Sequence, residues 1–517
     1  MFDPHGQSRT TAPLLNLNRS PPPISPRQVS TKSFVACDLG AESGRVILGN
    51  LAGKKITLKE IHRFATGPTT VRRSLRWDIL KFYDEIKTGL RKVKAEAAPL
   101  GISVDSWGVD YALMSQSEPL LGLPFHYRDS RTDHSFRKFL ECAGEDLIFS
   151  ETGIQFMQIN TLYQLYDDVL SRPQLLEQAN HFLPIADYLH FLLSGVAAAE
   201  ISVASTTQIF NPATDSWSKP LVAILGAPET LFPVVVKSGT LLGQLTDEIA
   251  EETGLGRCPV YATCSHDTAA AVAGVPATGD RWAFISSGTW SLLGVELNRP
   301  IINQQSLQAN FTNEIGFGGN IRFLKNILGL WLLQETKRGL ADRGVDLDYA
   351  TLDREASASP PLRSIINPNH NEFLKPGRMI EKIQSFCQRS GQPVPESAGA
   401  LARCTLESLA LSYACQIEVI RKSFGQDVSL IHVVGGGSRS RLLNQLTADA
   451  AGLPVLAGPV EATALGNLLI QAVAAGELAS QTDIREVVHN SFEIESFPPQ
   501  NREPWIEALN RYKSLEQ

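Results

Sequence analysis

Phe34-Val35-Ala36-Cys37-Asp38-Leu39-Gly40-Ala41-Glu42-Ser43-Gly44-Arg45-Val46-Ile47-Leu48 is the stretch from which the fold is read. Phe34 to Cys37 has the apolar run of a short buried strand, stopped by Asp38 and Gly40. Arg45 to Leu48 returns as a second strand after a turn of small residues. Ile56-Thr57-Leu58-Lys59-Glu60 then alternates as a half-buried third strand. From Asp78, a candidate N-cap, the apolar residues Ile79, Phe82, Ile86, Leu90 and Val93 keep the spacing of one helical face. That helix leads into Gly101-Ile102-Ser103-Val104-Asp105, a further strand.

The same grammar recurs late in the chain. Trp282-Ala283-Phe284-Ile285 meets Ser286-Ser287-Gly288-Thr289 and returns as Trp290-Ser291-Leu292-Leu293-Gly294-Val295. Two hairpins with small-residue turns predict a duplicated α/β fold. Leu430 to Val434 reads as a buried strand running into Gly435-Gly436-Gly437, then a helix through Leu442, Leu443 and Leu446. Strand, glycine turn and helix form a ligand-binding grammar. Glycine and proline punctuate Gly274 to Gly279, so domains over 33–275 and 276–500 are expected. Residues 1–32, with Pro21, Pro22, Pro23 and Pro26 and no apolar periodicity, read as a disordered tail. The tail lacks the apolar core of a secretory signal, although its arginines and scarcity of acids leave a transit-peptide reading open.

At 517 residues the chain exceeds the usual reach of one core, so two lobes are expected. With 54 acids against 47 bases and a net charge of -7, it has no general attraction for nucleic acid or anionic lipid. Seven irregularly spaced cysteines argue for a reducing compartment, the cytoplasm, and against a disulfide framework. No apolar run approaches the ~20 residues that cross a bilayer, so no membrane partner is expected. A monomer or small homo-oligomer acting on small molecules is the expectation.

Four groups could carry chemistry. In the first turn, Gly40 and Gly44 allow backbone N–H groups and the Ser43 hydroxyl to converge on a phosphate, with Arg45 adding charge. Asp38 at the strand end could hold magnesium through water; a plain hairpin turn with an incidental acid is the competing reading. In Ser265-His266-Asp267-Thr268-Ala269, Asp267 starts a small-residue helix, where it could serve the helix dipole or act as a general base. Cys258, Cys264 and His266 lack a second ligand pair and do not read as zinc. The triple glycine is not a dinucleotide fingerprint, because the third glycine of that motif would fall at Ser440. Nor is there a P-loop, since Arg45 follows Gly44 where Lys-Ser or Lys-Thr is required. Finally, Asp105-Ser106-Trp107-Gly108-Val109-Asp110-Tyr111 sets acids and aromatics around a glycine, as sugar sites do, or as a core strand does.

In their order, these features resemble the FGGY family of carbohydrate kinases within the actin-like ATPase superfamily. Ser106 to Asp110, Tyr127-Arg128-Asp129-Ser130-Arg131-Thr132, Ser265 to Ala269, Ser287 to Leu292, Leu324 to Trp331 and Gly458 to Ala462 are similar to its rhamnulose-phosphorylating members. The resemblance runs from about Phe34 to about Pro499. It implies an α/β fold of two actin-like (ribonuclease H-like) domains with a central cleft. It also implies transfer of phosphate from ATP, with Mg2+, to the 1-hydroxyl of L-rhamnulose in rhamnose breakdown. On the matching positions, Asp267 is implied as the proton acceptor, and Gly108, His266, Thr268 and Asn326 as sugar contacts. Ala41, Glu42, Ser43, Gly44, Arg45, Thr289, Gln334, Gly435, Gly436 and Gly437 are implied at the nucleotide, and Asp38 at the metal.

This chain also departs from the pattern. Glu42 sits where some relatives carry Ser, and its charge should weaken ATP binding unless it points outward or helps hold magnesium. Thr447 and Ala451 occupy one cysteine-pair position of some relatives and Cys387 is expected to have no partner nearby, so no disulfide is expected there. Fuculose, xylulose or another ketose or polyol is an alternative acceptor. A non-catalytic actin-like nucleotide-binding regulator is the alternative from another class.

Overall fold

The computed structural model describes residues 30–515; the expected tail falls outside these except for its last three residues. Strand β1, Lys32–Leu39, pairs antiparallel with β2, Ser43–Ala52, setting Asp38 opposite Arg45 and Leu39 opposite Gly44. Strand β3, Lys55–Ala65, continues the antiparallel ladder. Helix α1, Ile79–Val93, starts where Asp78 accepts a hydrogen bond from the Lys81 N–H. It buries Ile79, Phe82, Ile86, Leu90 and Val93, the face its apolar spacing predicts. Strand β4, Ile102–Ser106, then pairs parallel with β1. Strands β5, Thr240–Gln244, and β6, Pro259–Ala262, complete a six-stranded sheet in the order β5-β6-β4-β1-β2-β3. A short hairpin of Thr69–Val71 and Ser74–Arg76 precedes α1. Its first strand is exposed, so it carries no apolar pattern to read.

The second sheet repeats this plan. Strands β7, Trp282–Ser287, and β8, Trp290–Leu297, form its hairpin. Strands β9, Thr312–Ile315, and β10, Ile321–Leu328, extend it antiparallel. Strand β11, Leu430–Val434, joins parallel to β7, as β4 joins β1. Strands β12, Val455–Ala457, and β13, Glu495–Phe497, close the order β9-β10-β8-β7-β11-β12-β13. The chain is therefore two actin-like α/β halves of one plan, as the duplicated hairpins predict.

Two helices join the halves. Helix α2, Asp267–Ala273, follows the first sheet, and a helix late in the chain, Ala462–Ala474, lies against it. Their backbones approach so closely that a Cβ on Gly466 would sit 1.8 Å from the Ala270 carbonyl oxygen, and one on Gly274 2.8 Å from that of Ala462. The small residues between Ala269 and Gly274 permit this approach. Leu465, Leu468 and Leu469 of the late helix pack with Phe34, Ala36 and Ile47 of the first sheet. Ala271 and Val272 of α2 pack with Trp282, Phe284 and Val434 of the second. Each sheet thus has a face covered by a helix from the other half, at about 1.5–3 kcal/mol for each large apolar side chain buried.

Among the described residues no helix is long and apolar enough to cross a membrane. The seven cysteines are free. Cys387, expected to have no partner nearby, has the Cys404 thiol close enough to lower its pKa, but both are buried and free, so no disulfide joins them. Cys387 lies on helix Met379–Arg389 and Cys404 on Ala398–Lys422, and the packing of these helices, not sequence spacing, brings the sulfurs together.

Candidate active site

Between the halves lies a cavity of about 400 Å³. The end of β1 and its turn supply Asp38, Ala41, Glu42, Ser43 and Arg45. The chain after β4 supplies Gly108, and the start of α2 supplies His266, Asp267 and Thr268. The second half contributes Thr289 from the β7–β8 turn, Asn326 from β10, Gln334 from helix Trp331–Asp342, and Gly435 and Gly436 after β11. Of the residues that the resemblance implied at the sugar, nucleotide and metal, Gly44 and Gly437 do not line it. Gly44 accommodates the Phe64 ring, which a Cβ would meet at 2.4 Å. Gly437 accommodates Ser287, whose Oγ would lie 2.0 Å from a Cβ. Gly435 has a φ of 82°, which a side chain would resist. The turn continues as a 3-10 segment to Arg439, and the helix begins at Arg441.

Asp267 occupies the first turn of α2, where its Oδ1 accepts hydrogen bonds from the Thr268 N–H at 2.5 Å and the Thr268 hydroxyl at 3.2 Å. Its side chain is 29% exposed and lines the cavity. Burial, reinforced by the charge of Asp38, pushes its pKa up to about 7. Asp105, opposite Asp38 in the parallel ladder, is raised too, by burial and then by Asp38, while the Asn467 amide donates to its Oδ2 at 2.6 Å.

His266 is held by groups that the sequence reading missed. The Arg322 guanidinium, fully buried on β10, lies 3.2 Å from Nδ1. Arginine only donates, so Nδ1 is the acceptor and the ring proton sits on Nε2, which lies 3.5 Å from Asp267 Oδ1. Burial and the Arg322 charge drive the His266 pKa well below its usual value, so the ring is neutral. Arg322 is paired with Glu314 of β9 at 3.1 Å. A lone Arg and a lone Glu on separate strands leave no motif by which to find them.

The first turn is strongly ion-paired. Arg45 bonds both Asp38 and Glu461, the residue just before the late helix, which ties the turn to the second half. Glu42 Oε1 accepts from Arg338 Nη2 at 2.8 Å, so its charge is matched by an arginine of the second half. Gln334 Oε1 is buried without a hydrogen-bond partner, an acceptor available to a ligand. Asn326 meets a residue outside the sequence reading: its backbone N–H and side-chain amide donate to Gln155 Oε1 at 2.8 and 3.1 Å.

The acid and aromatic cluster divides. Trp107, Gly108 and Val109 line the cavity, with Val109 at a φ of 67°. Asp110 instead turns inward and accepts from Trp77 Nε1 at 2.6 Å, Trp107 Nε1 at 3.0 Å and Gln164 Nε2 at 2.9 Å. Burial lifts its pKa to about 6 against these bonds. Tyr111 is core, donating to Asp168 at 2.5 Å. Asp110 therefore shapes the wall of the cavity, and the expected carboxylate contact to a sugar is not available from it.

A raised carboxyl on one half facing glycine turns on the other is an arrangement suited to phosphoryl transfer, and comparison with known proteins gives its class. The model of the FGGY carbohydrate kinase N-terminal domain matches residues 33–274, and that of the C-terminal domain matches 283–475. The chain belongs to the FGGY family of carbohydrate kinases. It is 42% identical over 496 residues to the rhamnulokinase of Enterococcus faecalis, covering 94% of this chain and 98% of that protein. It is 41% identical over 471 residues to the rhamnulokinase of Bacillus subtilis, covering 90% and 96%. Among solved structures, a gluconate kinase from Lactobacillus acidophilus shares the fold with a TM-score of 0.79, at 15% identity and covering 94% of this chain and 98% of that one.

Proposed function

We propose that this carbohydrate kinase transfers the γ-phosphoryl group of ATP to the 1-hydroxyl of L-rhamnulose, giving L-rhamnulose 1-phosphate and ADP in rhamnose breakdown. The observation that carries the reading is Asp267, a carboxyl whose pKa of about 7 suits proton transfer near neutral pH, set at the cavity between the halves. The rhamnulokinases to which the chain is similar supply the choice of sugar.

In this mechanism Asp267 orients the attacking hydroxyl and takes its proton. Neutral His266 presents its Nε2–H to the sugar beside Asp267, and Thr268, Gly108 and Asn326 complete the seat. Ala41, Glu42, Ser43 and Arg45 of the first turn and Gly435 and Gly436 of the second half cradle the phosphates, with Thr289 and Gln334 at the nucleotide, while Gly44 and Gly437 give these turns room to pack. Among the described residues no group of three His, Cys, Asp or Glu side chains is arranged to hold a metal. Magnesium needs no such cage, because it keeps waters and takes oxygens from phosphates, so Asp38 alone would hold it through water. When bound it neutralises charge on the transferring phosphoryl. Closing the halves excludes the water that would otherwise consume ATP.

The cytoplasm, with its ATP and reducing conditions, suits the free cysteines. A coupled assay of ADP production with L-rhamnulose, L-fuculose and D-xylulose tests the reading. The highest kcat/KM is expected with L-rhamnulose. A higher value with another ketose would change the substrate, and no sugar-stimulated ADP production would point to a regulator.

A further inference from the structure

Behind the Gln155–Asn326 contact lies a second chamber of about 580 Å³, within the range of ligand pockets. It shares Gln155, Met157, Ile159, Trp290 and Asn326 with the catalytic cavity, so these side chains form a common partition. Its polar lining is almost entirely amide. The one cation, Lys325, already donates to the Ala309 carbonyl at 2.5 Å. Amides offer donor and acceptor together, which is what a hydroxyl requires, and they ask for no ionic partner. Trp290 and Phe136 add the aromatic faces on which the C–H surface of a sugar ring rests.

Several of these amides build the wall. Asn310 Oδ1 accepts from the Phe156 N–H at 2.7 Å and Asn369 Oδ1 from the Leu328 N–H at 3.0 Å. Gln416 is different. It is 5% exposed, it lines the chamber, and its side chain hydrogen-bonds none of the described residues. Its amide therefore opens onto the chamber, where a ligand or water can pair with it.

We infer that this chamber is a second carbohydrate seat, which takes a neutral ketose of the kind phosphorylated next door and holds it through the Gln416 amide. The inference rests on the ketose kinase reading above. The shared Gln155 and Asn326 place its occupant against the partition of the catalytic cavity.

Equilibrium dialysis of the full chain with radiolabelled L-rhamnulose, without nucleotide, tests this. Two bound molecules per chain are expected in the wild type and one in Gln416→Leu, with kcat retained within about twofold. Gln308→Trp, on the exposed rim, fills the chamber from outside the core and is expected to bind one as well, so a poorly folded Gln416→Leu would not decide the matter. One molecule per chain in the wild type, or two retained in both variants, would overturn the second seat. Sugar-stimulated ADP production by the same preparations separates the two readings. Its absence would sink the substrate assignment, whereas normal turnover beside a stoichiometry of one would sink only the chamber.

Discussion

Glu42 of the phosphate-side turn is ion-paired with Arg338 of the second half, Oε1 to Nη2 at 2.8 Å. The charge that should have opposed ATP is therefore matched from across the cleft. Both side chains are about half exposed, at 47% and 56%, so the pair adds little to stability. Its effect is on the local field, and removing either partner changes that field in opposite directions.

Arg338→Ala is expected to leave Glu42 unmatched beside the phosphates and to raise KM for ATP by about three- to tenfold. Glu42→Gln should leave it unchanged or lower it. Steady-state kinetics at saturating sugar measure both, and equal KM values for the two variants would show that Glu42 does not sense the nucleotide.

Asp267→Asn keeps the shape of the carboxyl and removes its basicity, so kcat should fall ~10²- to 10⁴-fold with the fold intact. Wild-type activity should decline as pH falls through about 7, because protonated Asp267 cannot accept the sugar proton. An unchanged kcat in the variant would end the assignment.

The same raised pKa has a stability consequence of definite sign. Between the ordinary carboxylate range and about 7 the folded state binds the Asp267 proton more tightly than the unfolded state, so this group's contribution to stability falls as pH rises through that window. Asp267→Asn should therefore melt higher than wild type at pH 8, with the gap closing near pH 4. A variant that melts lower at pH 8 would contradict the burial of this charge.

Arg322→Leu should be the costly change in the layer beneath the site. It leaves Glu314 buried without its partner, a loss of about 3–5 kcal/mol in denaturant unfolding. It also removes the donor to His266 Nδ1, which frees the ring to exchange tautomers. Replacing both partners, Glu314→Gln with Arg322→Met, should recover much of the stability but not the sugar KM. Recovery of both would deny Arg322 a positioning role.

Gly466→Ala drives a methyl group into the Ala270 carbonyl and must separate the two helices that join the halves. A loss of about 1–3 kcal/mol is expected, read as a lower Tm. Since α2 carries Asp267, kcat should fall as well. Wild-type Tm and kcat would show that the helices part without consequence.

What was legible in the sequence is what local chemistry dictates. The two hairpins, the face of α1 and the start of α2 at Asp267 follow from apolar periodicity and turn residues, which act over a few positions. Most of the site residues that the resemblance implied do line the cavity, although they make up less than half of its lining. Which groups hold that lining in place was decided only by tertiary packing. Gln155 meets Asn326 across 171 residues of chain, Glu42 meets Arg338 across 296, and α2 exchanges places with a late helix so that each half completes the other's core. The bend after β4, with Val109 at a φ of 67°, sent Asp110 inward while its neighbours Gly108 and Val109 reached the cavity. Such pairings depend on how whole sheets stack, and a solitary Arg, Glu or Gln has no periodicity or spacing of its own to announce its partner.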